Sequence, residues 1–158
     1  MSEADELAAL RGPDAARAAR AAGALWQRWH QAPDAATATL LRDGIAAMER
    51  QDFQEAAALF SRLIRAAPDF AEGWNKRATL RFVVKDYEGS IADCGETLAR
   101  NPNHFGALSG QGLCHMALGQ YREASAMFRR ALAVHPHLTA ARHNLAQALA
   151  GAVRGNGH

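Results

Sequence analysis

Apolar residues along this chain fall at helical spacing, and nowhere do Val, Ile, Thr or aromatic residues alternate with polar ones over the length of a strand. Between residues 13 and 31, Ala18, Ala22, Leu25, Trp26 and Trp29 share one face of a helix that Pro13 opens and Pro33 ends. From residue 37 onward the pattern repeats. Pro68, Pro102 and Pro136 stand 34 residues apart, and so do Phe53, Tyr87 and Tyr121. The same period joins Ala56, Ser90 and Ala124, then Phe60, Cys94 and Phe128, then Gly44, Ala78 and Gly112. A fixed period of this length marks stacked supersecondary units.

Each rung has a physical reason. The small residues let two antiparallel helices approach closely. Phe53, Tyr87 and Tyr121 follow a turn and cover the end of the core, while Phe60 and Phe128 fill volume on a second helix. Each proline stops a second helix, because it lacks an N–H and disfavours helix before it. The spacing predicts helices at 38–50 and 54–66, at 71–84 and 88–100, and at 105–118 and 122–134, with a further first helix over 139–152. The turns fall at Gln51-Asp52, Lys85-Asp86 and Gly119-Gln120. Gly119 suits a left-handed C-terminal cap. Gln51 and Lys85 occupy the same place with a side chain, which predicts tighter or strained turns.

The second copy of the unit reads AEGWNKRATLRFVVKDYEGSIADCGETLARNPNH, and the third reads FGALSGQGLCHMALGQYREASAMFRRALAVHPHL. This small–aromatic–Ala–Phe–Ala–Pro ladder resembles the tetratricopeptide repeat family, in the manner of its small bacterial members. The resemblance covers residues 37–138, as repeats 37–70, 71–104 and 105–138. It implies an all-α fold, a right-handed superhelical solenoid of helix-turn-helix repeats with terminal capping helices. Residues 1–36 form an N-terminal extension. Its helix is expected to cap the first repeat, or else to fill the groove or pair with a second chain. Residues 139–158 form a capping helix and a tail, with Arg142, His143, Asn144 and Gln147 turned to water.

Two departures from the family pattern stand out. The place before the small residue, usually large and apolar, holds Asp43, Arg77 and Gln111. The place four residues later, often aromatic, holds Ala47, Arg81 and His115. The helix-pair core is therefore expected to lean on Ile45, Met48, Phe82, Leu113 and Met116.

The resemblance implies a non-catalytic adaptor, whose first helices line a concave groove that accepts a peptide or helix of a partner. Family members that clamp a chaperone tail grip its terminal carboxylate with a lysine and asparagines. The matching places here are Leu41, Ile45, Lys76, Gly106 and Gly110, of which only Lys76 suits. The candidate groove is instead Leu41, Ile45, Met48, Asn75, Lys76, Thr79, Phe82, Leu113 and Met116, a mainly apolar and adaptable surface. The alternative function is self-association, burying the Trp26–Trp29 face across a two-fold axis.

Composition excludes other classes. There is no GxxxxGK[ST] or GxGxxG loop and no nucleophile elbow, since Ser109 in LSGQG opens a helix. No catalytic set and no cofactor are expected. His135, His137 and His143, with Cys114 and His115, lack any spacing that would enforce a zinc tetrahedron, so no metal is expected. Cys94 and Cys114 fall at core positions and are expected to be buried, reduced thiols. The formal net charge is +2, but residues 105–158 carry five arginines against the single acid Glu123. That asymmetry favours an acidic partner and falls short of a nucleic-acid surface. No stretch is apolar enough for a membrane span, and the acidic opening MSEADELAALRG is no secretory signal, so a cytoplasmic location is expected.

Overall fold

Short polar side chains start most of the helices. In the computed structural model, which describes residues 1–156, Ser2 caps α1 (Glu3–Arg11) through a reciprocal pair with Asp5, and Asp34 caps α3 (Ala35–Glu49) through the same device with Thr37. Asp52 and Asp86 accept from backbone N–H groups in the first turns of α4 (Phe53–Ala66) and α6 (Tyr87–Arg100). At α7 (Phe105–Ala117) the acceptor is the His104 ring. The remaining helices are α2 (Ala15–Trp29), α5 (Ala71–Val83), α8 (Tyr121–Val134) and α9 (Thr139–Asn156). Among the described residues there are nine helices and no strand. The fold is the all-α tandem-repeat solenoid class that the period predicts. The sequence pattern does not predict α1.

The three intra-repeat turns share one geometry. Gln51, Lys85 and Gly119 have φ of 63°, 68° and 73°. After each, the next N–H reaches back across the turn: Asp52 to Ala47 O, Asp86 to Arg81 O and Gln120 to His115 O, at 2.9, 2.7 and 2.8 Å. This is the paired cap that uses a left-handed residue. Two of the three sites therefore hold a side chain where glycine is favoured, as expected of Gln51 and Lys85.

The chain divides into two compact units, 30–102 and the pairing of 1–29 with 103–156. In 30–102 the helix pairs α3–α4 and α5–α6 close on a core of Leu41, Ala47, Ala56, Leu59, Phe60, Leu63 and Leu80. Close approach at Gly44 makes this packing possible, because any Cβ there would collide with the Phe60 ring. The second pair is held differently. Arg77 makes a two-pronged ion pair with the buried Asp93, Nε to Oδ2 at 2.9 Å and Nη2 to Oδ1 at 3.0 Å. Arg81 adds a contact from Nη1 to Asp93 Oδ2 at 3.0 Å. These two arginines occupy the places the family fills with large apolar residues, so charge pairing between α5 and α6 replaces part of the apolar contact there.

In the other unit, α7, α8 and α9 pack around Ala124, Phe128, Ala141 and Ala148, with Gly112 lying against the Phe128 ring. The N-terminal hairpin docks on this group. Helix α1 packs on α8, His137 donates from Nε2 to the Gly12 carbonyl at 2.7 Å, and the Trp29 ring stacks on His104 at 4.9 Å and leans on Phe105 at 5.4 Å. Within this unit the N-terminal hairpin's partners are the start of α7, α8 and the segment that follows α8. The expected apolar face of α2 is corrected. Ala18, Ala21 and Leu25 are buried and Trp29 is half-buried, but Trp26 is 57% exposed. Cys94 and Cys114 are both buried, with no disulfide between them. No described helix is long and apolar enough to cross a membrane.

Candidate binding surface on the first helices

Helices α3 and α5 carry seven of the nine candidate groove residues, all within 30–102. Leu41 is only 6% exposed and belongs to the core. Ile45 and Met48 follow it along α3, each half-buried and resting on that core from one side. On α5, Thr79 is exposed, its hydroxyl donating back to the Asn75 carbonyl at 3.1 Å. One turn on, Phe82 is half-buried and meets Tyr87 edge-to-face at 5.7 Å. Val83 beside it is 45% exposed. The result is a partly uncovered apolar surface interrupted by one hydroxyl.

Asn75 and Lys76 are occupied internally. Both turn to Glu72, a fully buried carboxylate in the first turn of α5. Asn75 donates from Nδ2 to its Oε2 at 3.0 Å, Lys76 Nζ stands 3.8 Å away, and His30 Nε2 is 3.5 Å away. Sequence reasoning passed over Glu72. The available signal was its place four residues before Lys76, a helical ion-pair spacing, in a first turn where the backbone dipole favours a carboxylate.

Leu113 and Met116 lie in the other unit. Both are half-buried, packed against the cluster of Ala124, Phe128, Ala141 and Ala148. They serve the packing of α7 against its neighbours, as their expected part in the core requires, and keep only a fraction of their surface in solvent.

Nothing in these places assembles a nucleophile with a base. The histidines have local tasks: His104 Nδ1 accepts from the Ala107 N–H at 3.0 Å, and His115 Nδ1 lies 2.7 Å from Gln120 Oε1. His135 meets Phe105 edge-on at 5.0 Å. Among the described residues no three His, Cys, Asp or Glu side chains converge as a metal site would require. A further charged feature of 30–102 is built on Trp74: the guanidinium groups of Arg77 and Arg100 lie over its ring, 5.4 and 4.7 Å from the centre, and its Nε1 donates to the Pro68 carbonyl at 2.9 Å.

Comparison with known proteins matches this architecture. Two tetratricopeptide-repeat family models match residues 41–104 and 105–148. A TPR repeat-containing protein of Rhizobium etli is 32% identical over 144 residues, which are 89% of this chain and 70% of the relative. The Hsp70-Hsp90 organizing protein of Triticum aestivum is 30% identical over 105 residues, 66% of this chain and 18% of that protein. Among solved structures, the TPR domain of Sgt2 from Aspergillus fumigatus superposes with a TM-score of 0.74 at 20% identity, covering 80% of this chain and 85% of that one. The first TPR domain of Spaghetti, bound to the Hsp90 peptide SRMEEVD, gives 0.72 at 22% identity, covering 74% and 93%. At those identities the structural likeness shows the fold alone. The repeat ladder, the two family models and the Rhizobium etli relative together place the chain in the tetratricopeptide-repeat family.

Proposed function

We propose that this chain is a non-catalytic adaptor that holds a segment of another polypeptide, and that the α3–α5 surface of Ile45, Met48, Asn75, Thr79 and Phe82 is where it does so. The observation that carries this reading is the contrast between the two kinds of helix. The second helix α4 buries its apolar side chains, Leu59, Phe60, Leu63 and Ile64, while the first helices leave Ile45, Met48 and Phe82 partly open beside exposed Thr79. Repeat solenoids use their first helices for contact with partners. The Triticum aestivum relative named an Hsp70-Hsp90 organizing protein, and the solved domain holding an Hsp90 peptide, support a peptide-binding role of this general kind.

Recognition of a terminal carboxylate is not part of the proposal. Leu41, Ile45, Gly106 and Gly110 carry no side-chain donor, and Lys76 already faces Glu72. An acidic peptide end brought to Lys76 would meet the Glu72 carboxylate as well. The segment is therefore held by apolar contact with Ile45, Met48 and Phe82, with exposed Thr79 setting its register, while Asn75 and Lys76 border the surface and stay turned to Glu72. Leu113 and Met116, in the other unit, form a smaller apolar patch of their own on α7.

The test uses two variants. Thr79→Arg changes an exposed position and leaves packing untouched, so melting temperature should hold while partner capture falls. Phe82→Glu should also reduce capture. If Thr79→Arg leaves capture unchanged, and Phe82→Glu lowers melting temperature steeply, the surface is packing alone and the assignment is wrong.

Self-association has one supporting observation, the exposed Trp26 on α2. A large aromatic in water is a frequent contact residue. Sedimentation of the wild type and of Trp26→Ala decides whether that contact is with a second copy.

A further inference from the structure

Helix α9 stands in the register of a first helix. Ala146 follows Gly112 by 34 residues, as Gly112 follows Ala78. On α7 that small position is covered by α8, whose Phe128 ring would meet a Cβ on Gly112 at 2.5 Å. One side of α9 is used in the same unit: Ala141 and Ala148 are buried in the α8–α9 packing, and Gly151 lies against the Tyr121 ring. The side that corresponds to the covered face of α7 is open. Ala146 and Ala150 are exposed, Leu149 is 40% exposed and Val153 is 73% exposed. Residues 146, 149, 150 and 153 step by three and four, so they form one stripe, with the spacing by which a helix anchors on a helix.

Charge indicates what covers the stripe. Arg142 stands one turn before Ala146, and Arg154 directly follows Val153; both are exposed. Among the described residues neither joins an ion pair. No acidic residue occurs anywhere from 124 to 158. A second copy of α9, paired across a two-fold axis, would set Arg142 of one chain near Arg154 of the other, and the like charges would repel. An acidic helix brings the opposite charge to both ends. We propose that this face of α9 docks an acidic amphipathic helix of a partner protein, seated where the second helix of a further repeat would lie, with a bulky apolar side chain over Ala146.

The fold supplies its own probe, because α8 is the helix that fills this place on α7. A labelled peptide with the 14-residue sequence of α8 is held helical by a lactam bridge on its outer side, with Arg122, Arg129 and Arg130 replaced by glutamate. Its binding to the full chain is followed by fluorescence anisotropy. A second peptide keeps the arginines. The charge-reversed peptide is expected to bind, and Val153→Glu and Leu149→Glu should each weaken it about tenfold or more, as loss of an anchor does. Arg142→Glu should weaken it further at low salt than at high salt. Val153 is mostly in solvent, so circular dichroism and melting temperature of Val153→Glu should match the wild type. The proposal is overturned if the reversed peptide does not bind, if Val153→Glu leaves its affinity unchanged, or if the arginine peptide binds equally well. It is also overturned if the chain sediments as a dimer that Val153→Glu converts to monomer, since a second copy would then own the face.

Discussion

Gly44 and Phe60 fit each other so closely that a Cβ on the glycine would lie 2.7 Å from Cδ1 and 3.1 Å from Cζ of the phenylalanine ring. Gly112 and Phe128 repeat the arrangement 68 residues later, while the second repeat holds Ala78 and Cys94 at these two places, both buried. A smaller partner thus accompanies the larger small residue. Replacing Gly44 with alanine gains about 1 kcal/mol of helix propensity and costs about 1–3 kcal/mol of overpacking. Gly44→Ala should therefore lower the melting temperature. Shrinking the ring should relieve the clash, so Gly44→Ala combined with Phe60→Leu should cost less than the two single changes added together. Thermal unfolding of the four proteins in this cycle measures the coupling, and simple additivity would mean the two residues do not share the space.

Gln51 and Lys85 hold the left-handed conformation that Gly119 adopts without penalty. A side chain there costs about 1–2 kcal/mol, against which glycine loses about 0.5–1 kcal/mol through the entropy of the unfolded chain. Gln51→Gly and Lys85→Gly should each raise stability by up to about 1 kcal/mol, which for a chain of this size is roughly 2–4 °C in melting temperature. Gly119→Ala should lower it by a similar amount. If Lys85→Gly is destabilising, the turn does not carry the strain assigned to it.

Asp93 is 3% exposed at its side chain, while Arg77 and Arg81 are 19% and 33% exposed. Removing the carboxylate leaves two guanidinium groups with lost partners, although their partial exposure lets water replace some of the contact. Asp93→Ala should cost about 2–3 kcal/mol, below the full penalty of breaking a buried ion pair. Replacing all three together by Leu, Met and Leu should cost less than Asp93→Ala alone, because no charge is then left unpaired. Denaturant unfolding at neutral pH separates the two outcomes.

Acid should loosen the molecule in two stages. Burial, with the nearby His137 charge adding to it, holds the His135 ring below its ordinary pKa of 6.5. The unfolded chain therefore takes up that proton first, so the stability His135 contributes is complete above the ordinary value and declines as pH falls below it. Glu6 accepts a hydrogen bond from Arg28 Nε at 2.9 Å, which holds its carboxyl below the ordinary 4.5. Its contribution is complete above that value and disappears as pH falls through the folded-state pKa. The slope of melting temperature against pH should flatten below the ordinary histidine value of 6.5 in His135→Gln, and below the ordinary carboxyl value of 4.5 in Glu6→Gln. Unchanged slopes would remove these two groups from the acid response.

The repeat and its turns were legible because their causes are local. A proline that stops a helix, a glycine in a left-handed cap and a small residue opposite a ring act over a few positions, and the 34-residue period places them three times over. The same holds for the sites of Cys94 and Cys114, which follow from register. Helix α1 was not legible, because what fixes it lies elsewhere in the chain: Glu6 is buried through Arg28, 22 residues on, and Trp29 donates to Glu3 at 3.2 Å.

Trp26 and Trp29 show the limit most clearly. Three residues apart on one helix, they carry the same hydrophobic signal, and no pattern distinguishes them. Only docking does, by bringing His104 and Phe105 to Trp29, while Trp26 stays 57% exposed. Likewise the sequence placed Arg77 and Arg81 in core positions, but the bond to Asp93, 16 and 12 residues away, emerges only when α5 and α6 pair. Leu41 became core and Thr79 stayed exposed for the same reason. Helical periodicity determines which residues share a face, because it is set by backbone geometry; which part of that face is covered depends on neighbours distant in sequence, and tertiary packing alone decides it.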